Sequence, residues 1–398
     1  MIGSQLTTAG YPLSLPSHVY STRFIFLVLN AAGDKKIRMK CLVRVFSLTL
    51  LLLVSGCATI SKSTFYGTAN GYNHAMQQFT DEQLLLNIVR LRYTDTPYFL
   101  EANSFTSQFA LTTSAGVGAV LPLQGSNEVL NGNIGGSFTE QPTISYTPLQ
   151  GDDFFQQLLQ QVPLETLGLL TNSGWSFDTV ARMAIQRTNG LSNAAGASGP
   201  TPGEAPKFKE FNAVASLLFD LQRDEVILLG KDPKTEKAAI FLPPFGESEA
   251  ADELRDMLGL DPAITIYAVE PGGGILMEDE SDSIVFNTRS VLGILFFLSQ
   301  GVDTPAEHEE EGLVVITENP DGTVFDWNEL LGDLFVVKSS KSRPKNASMA
   351  VQHRGYWFYI ENSDIDTKTT FVLLSQMFSL QTGDAKGQAP ILTLPVAL

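Results

Sequence analysis

Few residues in this chain combine type and spacing in a way that suggests chemistry. Ser342-Arg343-Pro344-Lys345 sets a hydroxyl and an amine three residues apart, the spacing at which a lysine activates a serine nucleophile. That arrangement needs the serine at a helix start, and Pro344 within a basic loop argues against one. Glu307-His308-Glu309-Glu310-Glu311 offers carboxylates and an imidazole. Consecutive residues on a loop do not converge on one ion, and no second histidine stands at helical spacing. Asp321-Gly322 could occupy the fifth and sixth positions of a calcium loop. Thr317 and Asn328 would then fall where the first and twelfth ligands must be acidic. Asn319-Pro320-Asp321-Gly322 reads instead as a turn. Gly272-Gly273-Gly274 lacks the lysine of a phosphate loop. His74 and His353 have no nucleophile near them in sequence. The expectation is a chain without catalytic residues, metal or cofactor, more simply a non-enzymatic protein than an enzyme.

One residue does carry a specific chemistry. Lys40 and Arg44 precede an apolar run, 45–54, which closes on Val54-Ser55-Gly56-Cys57. The run has the length of a signal h-region and is too short for a spanning helix, which takes roughly 20 apolar residues. It resembles the lipobox of bacterial lipoproteins. The resemblance implies cleavage between Gly56 and Cys57 and a diacylglycerol on the Cys57 sulfur. Ala58 follows the cysteine where an aspartate would imply retention in the inner membrane, so the resemblance implies the periplasmic face of the outer membrane. Residues 39–56 are then the signal peptide. Residues 1–38 do not fit one and read as an extension ahead of a true start at Met39.

Composition sharpens this. The whole chain has 26 basic and 43 acidic residues and a net charge of −17. Loss of 1–56 removes six basic residues and one acid, which deepens the charge to −22. Such a protein suits neither nucleic acid nor an anionic surface, so a lipid on Cys57 would have to supply the membrane attachment. Cys41 and Cys57 are the two cysteines, which leaves no disulfide or thiolate site after the anchor. Against the acidic background, no acid lies between Asp333 and Glu361, while Lys338, Lys341, Arg343, Lys345 and Arg354 do. This segment is a candidate docking strip for an anionic envelope partner, with the first four expected on an exposed loop between two strands.

The elements that must hold these residues read as α+β. Residues 57–79 form the expected tether. Thr80 then caps a helix with Leu84, Leu85, Ile88, Val89 and Leu91 as its apolar face and Gln83 three residues on. Residues 104–146 alternate apolar with small or polar residues around Gly125-Ser126-Asn127, a glycine-rich β meander or long hairpin. Its apolar parity is expected to pack on the helices of 80–92 and 151–187. An inserted membrane hairpin is the alternative. Residues 192–206 are small and polar and read as a flexible loop between a region at 80–191 and one at 207–398. Helices are expected at 208–221 and 248–258, and strands at 238–242, 264–269, 283–286, 314–317, 323–325, 334–338, 356–360 and 391–396. Two segments, 286–298 and 365–378, share a strand, an Asn or Asp cap and an apolar helix, which suggests a duplicated β–α unit. The overall expectation is an N-terminal helix with a β meander and helices, then a mixed sheet with packed helices.

Leu86-Asn87-Ile88-Val89-Arg90-Leu91-Arg92-Tyr93, Pro142-Thr143-Ile144-Ser145-Tyr146-Thr147-Pro148-Leu149 and Tyr356-Trp357-Phe358-Tyr359-Ile360 resemble segments of a group of proteobacterial lipoproteins of unknown role. That resemblance implies a lipid-anchored, periplasm-facing protein and transfers no catalytic residue. The expected function is binding or assembly at the outer membrane. The alternatives are an envelope-acting hydrolase, or an oligomer that inserts the hairpin of 104–146.

Overall fold

A computed structural model describes residues 70–119, 130–149, 151–200, 202–272 and 281–383. Gly56 and Cys57, the turn at 125–127 and the strand expected at 391–396 lie outside them.

The first helix, α1, covers 70–92. Leu84, Leu85, Ile88, Val89 and Leu91 recur at helical spacing and are all buried. Thr80 does not cap it. Its hydroxyl donates to the Met76 carbonyl at 3.1 Å within the helix, the other use such a side chain has. Residues 70–79, expected in the tether, are therefore helical.

Two long strands follow, β1 (Leu100–Ala119) and β2 (Leu130–Pro148). They form a two-stranded antiparallel sheet that no other strand joins among the described residues, and α1 meets its root, with Phe79 against Tyr146 and Gln83 bonded to Leu100. The expected packing on the helix of 80–92 is seen at this root. Alternation says that one side is apolar, but not what covers it.

The body begins with three helices, α2 (Asp152–Leu159), α3 (Leu164–Asn172) and α4 (Phe177–Ala184). β3 (Ile185–Thr188) and β4 (Leu191–Ser192) come next, then a 3-10 turn, Ala195–Ser198. Then follow α5 (Lys209–Arg223), β5 (Leu228–Lys231), β6 (Ala238–Phe241), α6 (Glu249–Leu258), β7 (Ile266–Pro271) and β8 (Ser283–Thr288). The sheet order is β4-β3-β8-β7-β6-β5, antiparallel except for β7 and β8. Residues 185–192 therefore complete the same sheet as 228–288.

Residues 192–206 are not a free loop. Asn193, Ala194 and Ala197 are buried. The Asn193 amide donates to the Arg182 and Ile185 carbonyls at 2.8 and 2.6 Å. Small side chains here permit close packing around one cation, Arg289. Its guanidinium donates to the carbonyls of Arg182, Met183, Ile185 and Asn193 and to Ser198 Oγ. It also lies 4.0 Å from the Phe297 ring centre. Complete burial pushes it down to about 9, and these oriented dipoles replace the water it has lost.

The centre of the fold is α7 (Val291–Ser299), apolar all round and capped by Ser290, whose hydroxyl accepts from Gly293 N. Val291, Ile294, Leu295, Phe297 and Leu298 have no exposed surface, as expected for a helix covered on every side. After α8 (Ala306–Glu310) and α9 (Asn328–Leu331) comes a three-stranded sheet, β9 (Lys338–Ser340), β10 (Ala347–His353) and β11 (Tyr356–Glu361), in the order β10-β11-β9. The last described helix, α10 (Ile365–Thr382), is capped by Asp364 and meets α2 and α7. The strands expected at 314–317 and 323–325 reduce to isolated bridges around the 319–323 turn, and that at 334–338 begins only at Lys338. Both suspected repeat units are strand–cap–helix joints. Their caps are Ser290 and Asp364, and their strands lie in different sheets.

Candidate functional site

The β1–β2 ribbon has a single register from Ser104 opposite Ser145 to Ala119 opposite Leu130, with a bulge between Ala102 and Ser104. Successive residues of a strand belong to opposite faces, so the register sorts the sequence. One parity holds Phe105 opposite Ile144, Phe109 opposite Glu140, Leu111 opposite Phe138, Ala115 opposite Ile134 and Val117 opposite Gly132. The other holds Thr106 opposite Thr143, Gln108 opposite Gln141, Thr112 opposite Ser137 and Gly116 opposite Asn133. The first is dominated by apolar residues; the second is Ser, Thr, Gln, Asn, Gly and one Ala. Over 102–119 and 130–147 the only charged residue is Glu140, in a chain of net charge −17.

The root of the ribbon is fixed by α1. The Asn87 side chain accepts from Tyr98 N at 2.9 Å and donates to Tyr98 O at 2.9 Å. One turn earlier Gln83 donates to Leu100 O at 3.0 Å and accepts from Leu100 N. Two amides four residues apart on one helix face thus pair with the incoming strand as a neighbouring strand would. Leu149 N donates to Phe99 O at 2.9 Å and closes the exit. Phe99 packs against Phe154 of α2 and Phe378 of α10, with ring centres at 5.8 and 5.1 Å.

The end of α1 carries a second polar group. Tyr93 is buried, and its hydroxyl lies 2.7 Å from His308 Nδ1. The His353 ring stands edge-on at 5.2 Å, and the Arg354 guanidinium sits 5.4 Å from the Tyr93 ring centre. His353 Nε2 is 3.0 Å from Asp95 Oδ2, and Arg354 donates to Asp95 Oδ1 at 3.0 Å. Burial pushes the Tyr93 phenol up to about 12 and pushes His353 down, with Asp95 opposing the latter. His308, weighed in the sequence only as a member of the acidic run, and His353, which had no partner near it in sequence, therefore converge on one tyrosine. The group latches α1, α8 and the β10–β11 turn together.

The basic segment is largely neutralised from within. Lys338 opens β9 and donates to Glu361 at 2.9 Å. Lys341 donates to Glu307 at 2.6 Å, and Glu307 also accepts from the Tyr356 hydroxyl at 2.8 Å. Arg343 lies 5.2 Å from the Trp357 ring centre, and Arg354 is held by Asp95. Ser342, Arg343 and Lys345 are exposed in the β9–β10 connection. Lys341, Arg343 and Lys345 lie on the expected loop between two strands, whereas Lys338 belongs to β9 itself, and four of the five cations already have partners. Of the acidic run, Glu307 is one of those partners, while His308 lies against Tyr93 and Tyr356. No group of three or more candidate ligands occurs among the described residues.

An open cleft of about 1110 Å³ lies between α3, α4 and the sheet, with Val162, Leu167, Phe177, Ile240, Val269 and Phe286 in its wall. Of the carboxylates beside it, Glu270 pairs with Lys237 at 3.3 Å. Among the described residues, no helix is long and apolar enough to cross a membrane. No family model, curated protein or solved structure matches the chain.

Proposed function

We propose that this chain is a non-enzymatic, lipid-anchored component of the bacterial envelope, held at the periplasmic face of the outer membrane by lipid on Cys57. On this reading its β1–β2 ribbon enters that membrane together with the ribbons of other copies. The carrying observation is the ribbon itself: 19 register pairs long at most, apolar on one parity, uncharged apart from Glu101 at its root and Glu140, and joined by no other strand among the described residues. An isolated two-stranded ribbon is marginal in water, and its outer edges leave every other backbone group unpaired. In lipid such edges are untenable unless strands close into a barrel. Copies side by side satisfy both edges, and two strands from each copy give the even count usual in bacterial barrels. The apolar parity would face lipid, and the Ser, Thr, Gln, Asn and Gly parity would face a lumen.

The test is made on the full lipidated protein. Purified in detergent, it should form rings, and in planar bilayers those rings should conduct. A particle that stays monomeric in detergent and leaves bilayers silent overturns the proposal. The hydrolase alternative draws only on the apolar cleft, and no described group of carboxylates there favours it.

A further inference from the structure

Exposed aromatic side chains gather where the ribbon leaves the body. Tyr98, two residues before β1, is 42% exposed; Tyr146, near the end of β2, is 40% exposed; Phe155 of α2 is 48% exposed. They are tied to one place. Tyr98 adjoins Phe99, which packs on Phe154, and Phe154 touches Phe155 with ring centres 5.9 Å apart. The Tyr146 ring lies 4.8 Å from that of Phe79 on α1. Large exposed aromatics at one site of a water-facing protein call for an explanation. A second observation bears on the partner: no Lys, Arg or His occurs between Arg92 and Arg182. Asp152 and Asp153, exposed beside Phe155, are acids.

We infer that this collar seats in the interfacial layer of a bilayer of zwitterionic phospholipid and sets the depth of the ribbon. The inference rests on the ribbon reading given above. Tyr presents an apolar ring and a polar tip, which suits the headgroup level, where aromatic residues flank the apolar band of membrane barrels. A surface that recruited anionic lipid would need cations. The stretch that carries this one has acids and no cations, and the neighbouring Arg90 of α1 is held by the Asn87 side chain at 3.1 Å, so its attraction is apolar and insensitive to salt.

Depth measurements on the full lipidated protein test it. Cys57 carries the lipid, so Phe155→Cys, Tyr98→Cys and Leu111→Cys each introduce one free thiol for an environment-sensitive fluorophore. Leu228→Cys, at an exposed position on the edge strand β5, is the control. Vesicles of phosphatidylethanolamine and phosphatidylcholine carry quenchers at shallow or deep acyl positions. The expected result is a blue shift and shallow-quencher loss of emission at 155 and 98, deep-quencher loss at 111, and neither at 228. Added phosphatidylglycerol or high salt should change none of these. If 111 is quenched while 155 and 98 stay open to aqueous iodide, the collar is wrong and the ribbon reading stands. If 155 and 98 are quenched while 111 is not, the collar holds without insertion. If all three stay in water, both fail. Quenching at 228 equal to that at 155, or at 155 only with anionic lipid, overturns the collar. Circular dichroism of each variant establishes that it is folded, and either of positions 98 and 155 suffices if the other misfolds.

Discussion

Leu111→Arg and Thr112→Arg should behave as differently as two adjacent substitutions can. The register puts Leu111 opposite Phe138 on the apolar parity and Thr112 opposite Ser137 on the polar one. The apolar parity runs from Phe105 to Ala119, roughly 50 Å along the strand at about 3.3 Å per residue. With a barrel tilt near 40°, that is on the order of 37 Å of depth, more than the roughly 25 Å apolar band of an outer-membrane barrel. Leu111 is six residues from Phe105, about 15 Å deep on the same arithmetic, and so close to the midplane. An arginine facing lipid there costs about 2–4 kcal/mol, whereas one facing the lumen costs little. At about 1.4 kcal/mol per tenfold, each copy with Leu111→Arg should insert roughly 30- to 1000-fold less favourably. The assay is the fraction of protein in heat-resistant, membrane-extracted rings, with conductance alongside. Thr112→Arg should keep its rings and shift ion selectivity toward anions. Equal loss in both variants, or in neither, refutes the assignment of faces.

Three further outcomes follow from the body and the anchor. Arg289→Leu should destabilise the fold by roughly 2–6 kcal/mol, because the Asn193 amide still serves the Arg182 and Ile185 carbonyls while those of Met183 and Asn193 lose this donor; a urea midpoint unchanged from the parent would contradict it. Burial lowers His353 below the ordinary imidazole value, so on acidification the unfolded chain takes the proton first. Stability should then be level above about pH 6.5 and fall as pH drops toward the lowered value. His353→Asn should flatten that slope in melts taken from pH 7.5 to 5. Cys57→Ser should abolish incorporation of a fatty-acid probe, and label retained on the variant would remove the anchor from the proposal.

What sequence revealed and what it hid follow from range. The period of two in 104–119 is local, and it announced a ribbon with one apolar face. Helices 209–223 and 249–258 were legible for the same reason, the latter with its Ser248 cap. Long-range facts were not. The convergence of His308 and His353 on Tyr93 spans more than 200 residues, and nothing near either histidine signals it. The segment 192–206 misled because small residues have two readings. They make loops where nothing contacts them, and here they make room for Arg289. The tether boundary failed because Thr80 is equally good as a cap or as a mid-helix donor to Met76. The docking strip shows the limit of charge counting, since Glu307 and Asp95 answer Lys341 and Arg354 from far off in sequence.

The anchor and the ribbon explain one another on the proposed reading. A ribbon whose paired strands carry only Glu101 at the root and Glu140 as charges gains little from water and cannot close its edges alone. Ring formation from dilute copies must overcome the translational cost of association, several kcal/mol for each copy added. A lipid on Cys57 changes that cost by holding every copy at one surface, so that pairing of ribbon edges proceeds at a high effective concentration. The body then has two tasks, and the structure supplies a device for each. Gln83 and Asn87 grip the first strand so that its register is set before any neighbour arrives. The packing of α1, α2 and α10 around Phe99 gives the ribbon a rigid root. A loosely rooted ribbon would sample many angles and seldom meet another edge in register. Weakening the root should therefore slow assembly without altering the ribbon's own sequence, and that separates this account from one in which the ribbon alone carries the information.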